Sequence, residues 1–163
     1  MFTNDEIETI ASSEGMRARA YTATDIFELE MERIFSRAWI FVGHDSQIPE
    51  PGNFRRTRIG TDEVLLVRQK DHSLKVLYNS CAHRGTRLCN ATAGTTNLFV
   101  CPYHAWAYDL DGALKSVPDM ASYPPSFEIN NSSLHLKSAP RVEDYRGFIF
   151  ASLTDRGPAL NEF

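Results

Sequence analysis

The hydrophobic positions of this chain change period once, and that change divides it. Phe27, Met31, Ile34, Phe35 and Ala38 recur at spacings of three and four, which predicts one apolar stripe on a helix over 25–37. Glu28, Glu30, Glu32 and Arg33 largely avoid the stripe. Thr22-Ala23-Thr24-Asp25 supplies hydroxyls for the free N–H groups of a helix start and an acid for its first turn. The first twenty residues are polar without a sustained period and read as an arm.

Beyond Trp39 the helical period stops. Ile48-Pro49-Glu50-Pro51-Gly52-Asn53 is dense in turn formers and ends any helix. Short strands are expected from there at 54–59, 63–69, 74–79, 97–101, 105–109, 113–117, 133–137 and 147–153. Gly60-Thr61-Asp62, Lys70-Asp71-His72-Ser73 and Asp109-Leu110-Asp111-Gly112 carry hairpin-turn chemistry between them. Many short strands with frequent turns predict a mainly β fold of small stacked antiparallel sheets, preceded by the one helix. The expected organisation is an arm and helix over 1–40, a β domain over 41–155, and the start of a linker over 156–163.

Composition narrows the function classes. The hydrophobic share is 42%, the charged share 23% and the net charge −4, with Lys and Arg scattered rather than striped, so no nucleic-acid partner is expected. The acidic start Met1-Phe2-Thr3-Asn4-Asp5-Glu6 lacks the basic and apolar regions of a secretory signal. The longest apolar runs, Ala38 to Val42 and Phe148 to Leu153, are strand-sized and too short to span a bilayer. A cytoplasmic protein without a membrane partner is the resulting expectation. Three cysteines in such a chain point to metal binding or ordinary burial rather than to a disulfide framework.

Two of those cysteines belong to short boxes, Cys81-Ala82-His83-Arg84-Gly85 and Cys101-Pro102-Tyr103-His104, separated by residues 86–100. Each box carries one soft thiolate donor and one borderline imidazole, and each follows an expected strand. Two hairpin tips brought side by side would present two sulfurs and two nitrogens to one site. A Cys₂His₂ set also serves zinc, although zinc fingers group Cys with Cys and His with His, whereas each box here mixes them.

The pattern C-x-H, a spacer, then C-x-x-H resembles the Rieske cluster-binding signature. The resemblance implies a [2Fe–2S] cluster in which Cys81 and Cys101 hold one iron and His83 and His104 hold the other. Neutral imidazoles in place of thiolates leave that outer iron less negative and raise the potential above that of an all-cysteine cluster. Gly85 permits a tight turn next to the cluster, and Trp106 and Tyr108 are positioned in sequence to shield one side of it. Respiratory Rieske proteins carry a further cysteine in each box, paired as a disulfide; here those positions are Thr86 and Tyr103. Cys89 is left as a buried free thiol. Trp106 stands where high-potential members place a hydroxyl on a cluster sulfur, which favours the low end of the Rieske range, roughly −150 mV.

Further residues are similar to the large (α) subunit of Rieske non-heme iron aromatic-ring-hydroxylating oxygenases. They are His83-Arg84-Gly85-x-x-Leu88-Cys89, Tyr103-His104-x-Trp106-x-Tyr108 and Gly112, with Tyr21, Phe27, Glu30, Ile34, Phe35, Trp39, Gly43-His44, Ile48-Pro49 and Pro51-Gly52-Asn53-Phe54 upstream. The resemblance spans about 20–153. It implies an oxidoreductase component taking electrons from a ferredoxin or flavin reductase, ultimately from NADH. His104 would be the exit toward a mononuclear iron in a neighbouring α subunit, with a β subunit as a possible further partner. That Fe(II), held by two His and a carboxylate, belongs to a catalytic domain expected after Phe163, so this stretch alone should be inactive. A stand-alone Rieske ferredoxin is the alternative. Ala105 stands where most relatives have glycine, so an ordinary backbone is expected there. His44, His72 and His135 form no ligand motif; His135 is expected on a strand facing solvent, and His44 in a structural hydrogen bond.

Overall fold

The computed structural model describes residues 11–12 and 15–163, so the expected N-terminal arm lies largely outside the described residues. Two short strands, β1 (Ala11–Ser12) and β2 (Gly15–Met16), pair with each other, and a helical turn α1 (Arg19–Thr22) leads into α2 (Thr24–Glu30). The expected helix is there, but its second half widens into one π-helical turn, Met31–Phe35, ending at Ser36. Met31 and Phe35 use that turn to press on Gly60, whose missing side chain leaves the room. Phe27 and Ile34 of the same stripe stay half exposed.

The centre of the molecule is the four-stranded antiparallel sheet β6-β5-β4-β7, built from β4 (Asn53–Ile59), β5 (Asp62–Arg68), β6 (Leu74–Tyr78) and β7 (Ala93–Thr95). Of its two inner strands, β5 carries Val64-Leu65-Leu66-Val67, and all four residues are fully buried because both faces of the sheet are covered. Val64 and Leu66 join Val42, Ile48, Ile59, Val76, Ile149 and Ala151 in one core. That core is closed by a second sheet of β3 (Ile40–His44), β11 (Arg141–Tyr145) and β12 (Phe148–Ser152), in order β11-β12-β3. Leu65 and Val67 point the opposite way, with Phe54 and Leu77, into a core shared with Cys81, Cys101, Trp106 and Tyr108. A third sheet flanks this side: β8 (Phe99–Val100), β9 (Ala107–Tyr108) and β10 (Leu114–Ser116), in order β10-β9-β8. Each fully buried Val or Leu of β5 contributes about 1.5–3 kcal/mol, so the strand anchors both layers.

The mainly β architecture matches the sequence-based expectation, with three differences in detail. The strand expected at 133–137 is a 3₁₀ turn, Ser132–Leu134, which Asn131 caps by accepting from the Ser133 N–H at 3.0 Å. Only a single bridge, Leu77 to Ser138, remains of any pairing there. His135 therefore does not face solvent from a strand; it is half buried, and its Nε2 is enclosed without a hydrogen-bond partner among the described residues. Strands β1, β2, β3, β7 and β11 were not anticipated: β1 and β2 lie in the stretch read as an arm, Ile40–His44 overlaps an apolar run that was assigned no strand, and Ala-Gly-Thr and Arg-Val-Glu-Asp-Tyr carry no apolar alternation.

Candidate metal centre

The two ligand boxes sit on loops of different kinds that converge. The first, 79–92, joins β6 to β7 across opposite edges of the central sheet, so it is a crossing loop and not the hairpin tip expected. The second, 101–106, is the tip of the β8–β9 hairpin, whose strands register Phe99 with Tyr108 and Val100 with Ala107. Their backbones nevertheless repeat one another. The Cys81 N–H donates to Thr86 C=O at 2.9 Å and Gly85 N–H to Cys81 C=O at 2.8 Å. In the second loop Cys101 N–H donates to Trp106 C=O at 2.8 Å and Ala105 N–H to Cys101 C=O at 2.9 Å.

That repeat makes Gly85 and Ala105 equivalent, and both lie at positive φ, +68° and +53°. The ordinary backbone expected at Ala105 is thus wrong. The residue is forced into the left-handed region by the hydrogen bonds that close the loop, a conformation that costs a non-glycine residue about 1–2 kcal/mol.

Within this frame the four candidate donors form two pairs. Cys81 and Cys101 are buried at 3% exposure, and their thiols are near enough that Cys101 acts on Cys81. His83 and His104 are exposed, with ring centroids 4.9 Å apart. Burial pushes the Cys81 thiol up, so a lone thiolate here is costly unless positive charge compensates it. Desolvation, then the charges of His104 and Arg84, hold His83 below the usual imidazole range and favour its neutral, metal-binding form. Inner soft donors and outer borderline donors fit an iron–sulfur group whose one edge reaches the surface. Among the described residues, no three His, Cys, Asp or Glu side chains are grouped closely enough to hold one ion.

The surroundings orient these donors. The Trp106 ring stacks on His83 at 4.7 Å and 7°, and its Nε1 donates to the Tyr123 hydroxyl at 3.1 Å. Phe127 packs edge-on against the same indole. Tyr103 stacks on His104 at 3.8 Å while remaining half exposed. The Tyr108 hydroxyl, fully buried, lies 3.1 Å from Cys81 Sγ. Burial and the neighbouring thiol raise the phenol well above its ordinary range, so it stays protonated and available as a donor to a thiolate. One hydroxyl therefore reaches the sulfur of a candidate donor.

Sequence reasoning missed the residue that closes the first loop. Asn79 is 4% exposed; its Nδ2 donates to Cys89 C=O and its Oδ1 accepts from Cys89 N–H, both at 2.8 Å. One side-chain amide thus clamps the two ends of the 79–89 segment, like a strand pair one residue long. Its only signal is an amide two residues before Cys81. Cys89 itself is half buried, its thiol 3.9 Å from Ala91 C=O. His44 Nδ1 accepts from Ser46 N–H at 3.2 Å, and His72 occupies a turn at φ +65°.

This architecture, two mixed Cys/His loops over a triple-sheet β core, defines a class. The family model for the Rieske [2Fe-2S] domain matches residues 38–140, and the chain belongs to that family. Within it, the chain is homologous to the N-terminal Rieske part of α subunits of aromatic-ring-hydroxylating dioxygenases. It is 41% identical over 164 aligned positions to the benzene 1,2-dioxygenase α subunit of Pseudomonas putida, covering 99% of this chain and 36% of that one. It is also 41% identical, over 138 positions, to the N,N-dimethyl phenylurea N-demethylase α subunit of Sphingobium sp., covering 85% of this chain and 30% of that one. The solved structure of naphthalene 1,2-dioxygenase with indole in its active site superposes with a TM-score of 0.89 at 35% identity, covering 95% of this chain and 35% of that one. The chain therefore spans about a third of the length of these relatives. Among the described residues no helix is long and apolar enough to cross a membrane.

Proposed function

We propose that Cys81 and Cys101 hold one iron of a [2Fe–2S] cluster and His83 and His104 the other, and that this unit is the electron inlet of a Rieske oxygenase α subunit. The observation that carries the reading is the paired arrangement itself: two loops with one backbone pattern present buried thiols inward and neighbouring imidazoles outward. The cluster, when bound, supplies reversible one-electron transfer. The chain's own residues do the rest. Tyr108 donates to Cys81, Trp106 fixes the plane of His83, and Tyr103 lies against His104 at the surface, where the electron leaves. A ferredoxin or flavin reductase fed by NADH is the donor. The acceptor is a mononuclear Fe(II) in the catalytic domain of a neighbouring α subunit, with a β subunit in the assembly. The working division is arm and helix over 1–40, Rieske domain over 41–155 and linker from 156. The half-exposed Phe27 and Ile34 suit contact with a further domain, which favours this reading over a stand-alone ferredoxin.

Aromatic-ring dioxygenation is the reaction favoured by the benzene and naphthalene dioxygenase relatives. Oxidative N-demethylation is the second reading, because the N-demethylase relative is 41% identical too and the inlet is the same for both. Offering the full-length enzyme an aromatic hydrocarbon and an N-methylated aromatic substrate, with product analysis, separates them.

The test of the inlet is anaerobic expression of this chain followed by absorption and EPR spectroscopy after dithionite reduction. A Rieske spectrum that disappears in His104→Ala and persists in His72→Ala supports the assignment. A colourless, EPR-silent protein carrying zinc would refute it, as would bleaching in the His72 variant.

A further inference from the structure

Beside the first ligand loop lies a knot of charge that the electron inlet as described does not use. Glu63 of β5, with its side chain 16% exposed, receives three guanidinium groups. Arg87 grips it with Nε at 2.8 Å and Nη2 at 3.0 Å, Arg58 reaches it at 3.1 Å and Arg56 at 3.4 Å. Three positive charges meet one negative charge, leaving the spot cationic on a chain whose net charge is −4. The side chains of Arg58 and Arg87 are 66% and 50% exposed. Arg56, Arg58 and Glu63 frame a surface hollow of about 420 Å³. Each guanidinium has five N–H donors, and one carboxylate cannot satisfy three of them, so donors remain aimed outward.

The location gives the knot a meaning. Arg56 and Arg58 follow Phe54 at every second position of β4, so they share the face that packs against the ligand loops. Arg87 belongs to the first ligand loop, four residues beyond His83. That is at most about 14 Å of extended chain, and the loop is folded back by the Gly85-to-Cys81 hydrogen bond. Arg84, also exposed, stands next to His83 on the same loop. A partner footprint of the usual size, about 800 Å² a side and roughly 30 Å across, covers the arginines and the imidazole edge together. Glu63 holds the guanidiniums in place, so little side-chain freedom is lost on binding, and complementary charge steers encounter more than it adds affinity.

We propose that the Arg56–Arg58–Arg87 cluster, organised by Glu63, is the docking surface for an acidic electron-carrier protein, whose carboxylates take the outward guanidinium donors. The inference rests on the electron-inlet reading above. The step is a single electron passing from the reduced iron–sulfur centre of the carrier to the oxidised cluster of this chain, which leaves the carrier oxidised and this chain reduced. No bond forms or breaks.

The test is stopped-flow reduction of the oxidised, cluster-loaded chain by a reduced plant-type [2Fe–2S] ferredoxin, an acidic carrier with a potential well below the Rieske range. Photoreduced deazariboflavin, small and neutral, serves as the parallel reductant. The expected second-order rate constant with the ferredoxin falls about tenfold or more as salt is raised from about 20 mM to 500 mM. Arg58→Gln should lower the low-salt rate several-fold and Arg58→Glu further, with a flattened salt dependence, while the deazariboflavin rates of both variants equal that of the parent. Unchanged ferredoxin rates in both variants overturn the proposal. Equal losses with both reductants overturn it too, because they assign the arginines to holding the ligand loop. Sedimentation showing self-association of the parent that Arg58→Glu abolishes overturns it in favour of contact between copies. A parent chain with no Rieske spectrum fails at the inlet reading itself, which the deazariboflavin arm reveals separately.

Discussion

Exchanging Ala105 for glycine should stabilise this protein, although it removes a methyl group and loosens the unfolded chain. The two ligand loops share one hydrogen-bond pattern, and the residue four places after each cysteine closes it with positive φ: Gly85 at +68° and Ala105 at +53°. An L-residue with a Cβ pays about 1–2 kcal/mol for that conformation. Introducing glycine removes this cost but adds about 0.4–1 kcal/mol through greater freedom of the unfolded chain. Ala105 is exposed, so the lost methyl forfeits little buried area. The balance is about 0.5–1 kcal/mol in favour of Ala105→Gly, or roughly 1–4 °C in Tm for a chain of this size. Gly85→Ala is the mirror experiment. A Cβ there meets only Ser80 Oγ at 3.8 Å, an ordinary contact, so the backbone alone sets the cost and about the same loss is expected. Thermal unfolding followed by circular dichroism on the cluster-loaded protein measures both shifts. A lower Tm for Ala105→Gly, or no loss for Gly85→Ala, would show that the loops are not strained as their dihedral angles imply.

Three other outcomes are expected. Tyr108→Phe removes the hydroxyl at 3.1 Å from Cys81 Sγ and should lower the cluster potential. The donor favours the more negative, reduced state, and about 1 kcal/mol of lost preference corresponds to roughly 40 mV for one electron, measurable by EPR-monitored potentiometry. Asn79→Ala strips both partners from the Cys89 backbone and should destabilise the fold by about 2–4 kcal/mol, read from a urea titration, with faster loss of visible absorbance as the first loop opens. Glu63 has its carboxyl below the ordinary 4.5, since the bond from Arg58 and the charges of Arg87, Arg56 and Arg58 outweigh the desolvation that alone would raise it. A depressed carboxylate stabilises fully above its unfolded pKa and loses that contribution as pH falls through the folded one. Glu63→Gln should therefore flatten the acid limb of the stability curve below about pH 4.5 and leave its shape above that unchanged, as equilibrium unfolding across pH would record.

The chemistry was legible in the sequence because it depends on residue type at short spacing. Cys81-x-His83 and Cys101-x-x-His104 mark four candidate donors that few other purposes require, each box holding one Cys and one His within three or four residues, although bringing Cys81 to Cys101 and His83 to His104 needs the two loops to converge. The helix over 25–37 and most strands were equally readable, since apolar period records which face is buried. The polar strand β11 and the short β7 were not, because their pairing is imposed by β12 and β4 rather than by a pattern of their own.

Tertiary structure decided what the neighbours of the ligands do. Sequence cannot show that Tyr108, seven residues after Cys101, reaches the sulfur of Cys81, or that Asn79 clamps Cys89 across the loop. Nor can it show that Trp106 lies flat on His83, or that Arg56 and Arg58 of β4 meet Arg87 of a distant loop over Glu63. Such contacts follow from register and from which side of the central sheet a residue occupies. Ala105 marks the boundary between the two kinds of information. Residue type alone predicts an ordinary backbone there, but closing the hairpin tip directs its N–H to Cys101 C=O, and φ turns positive with that hydrogen bond.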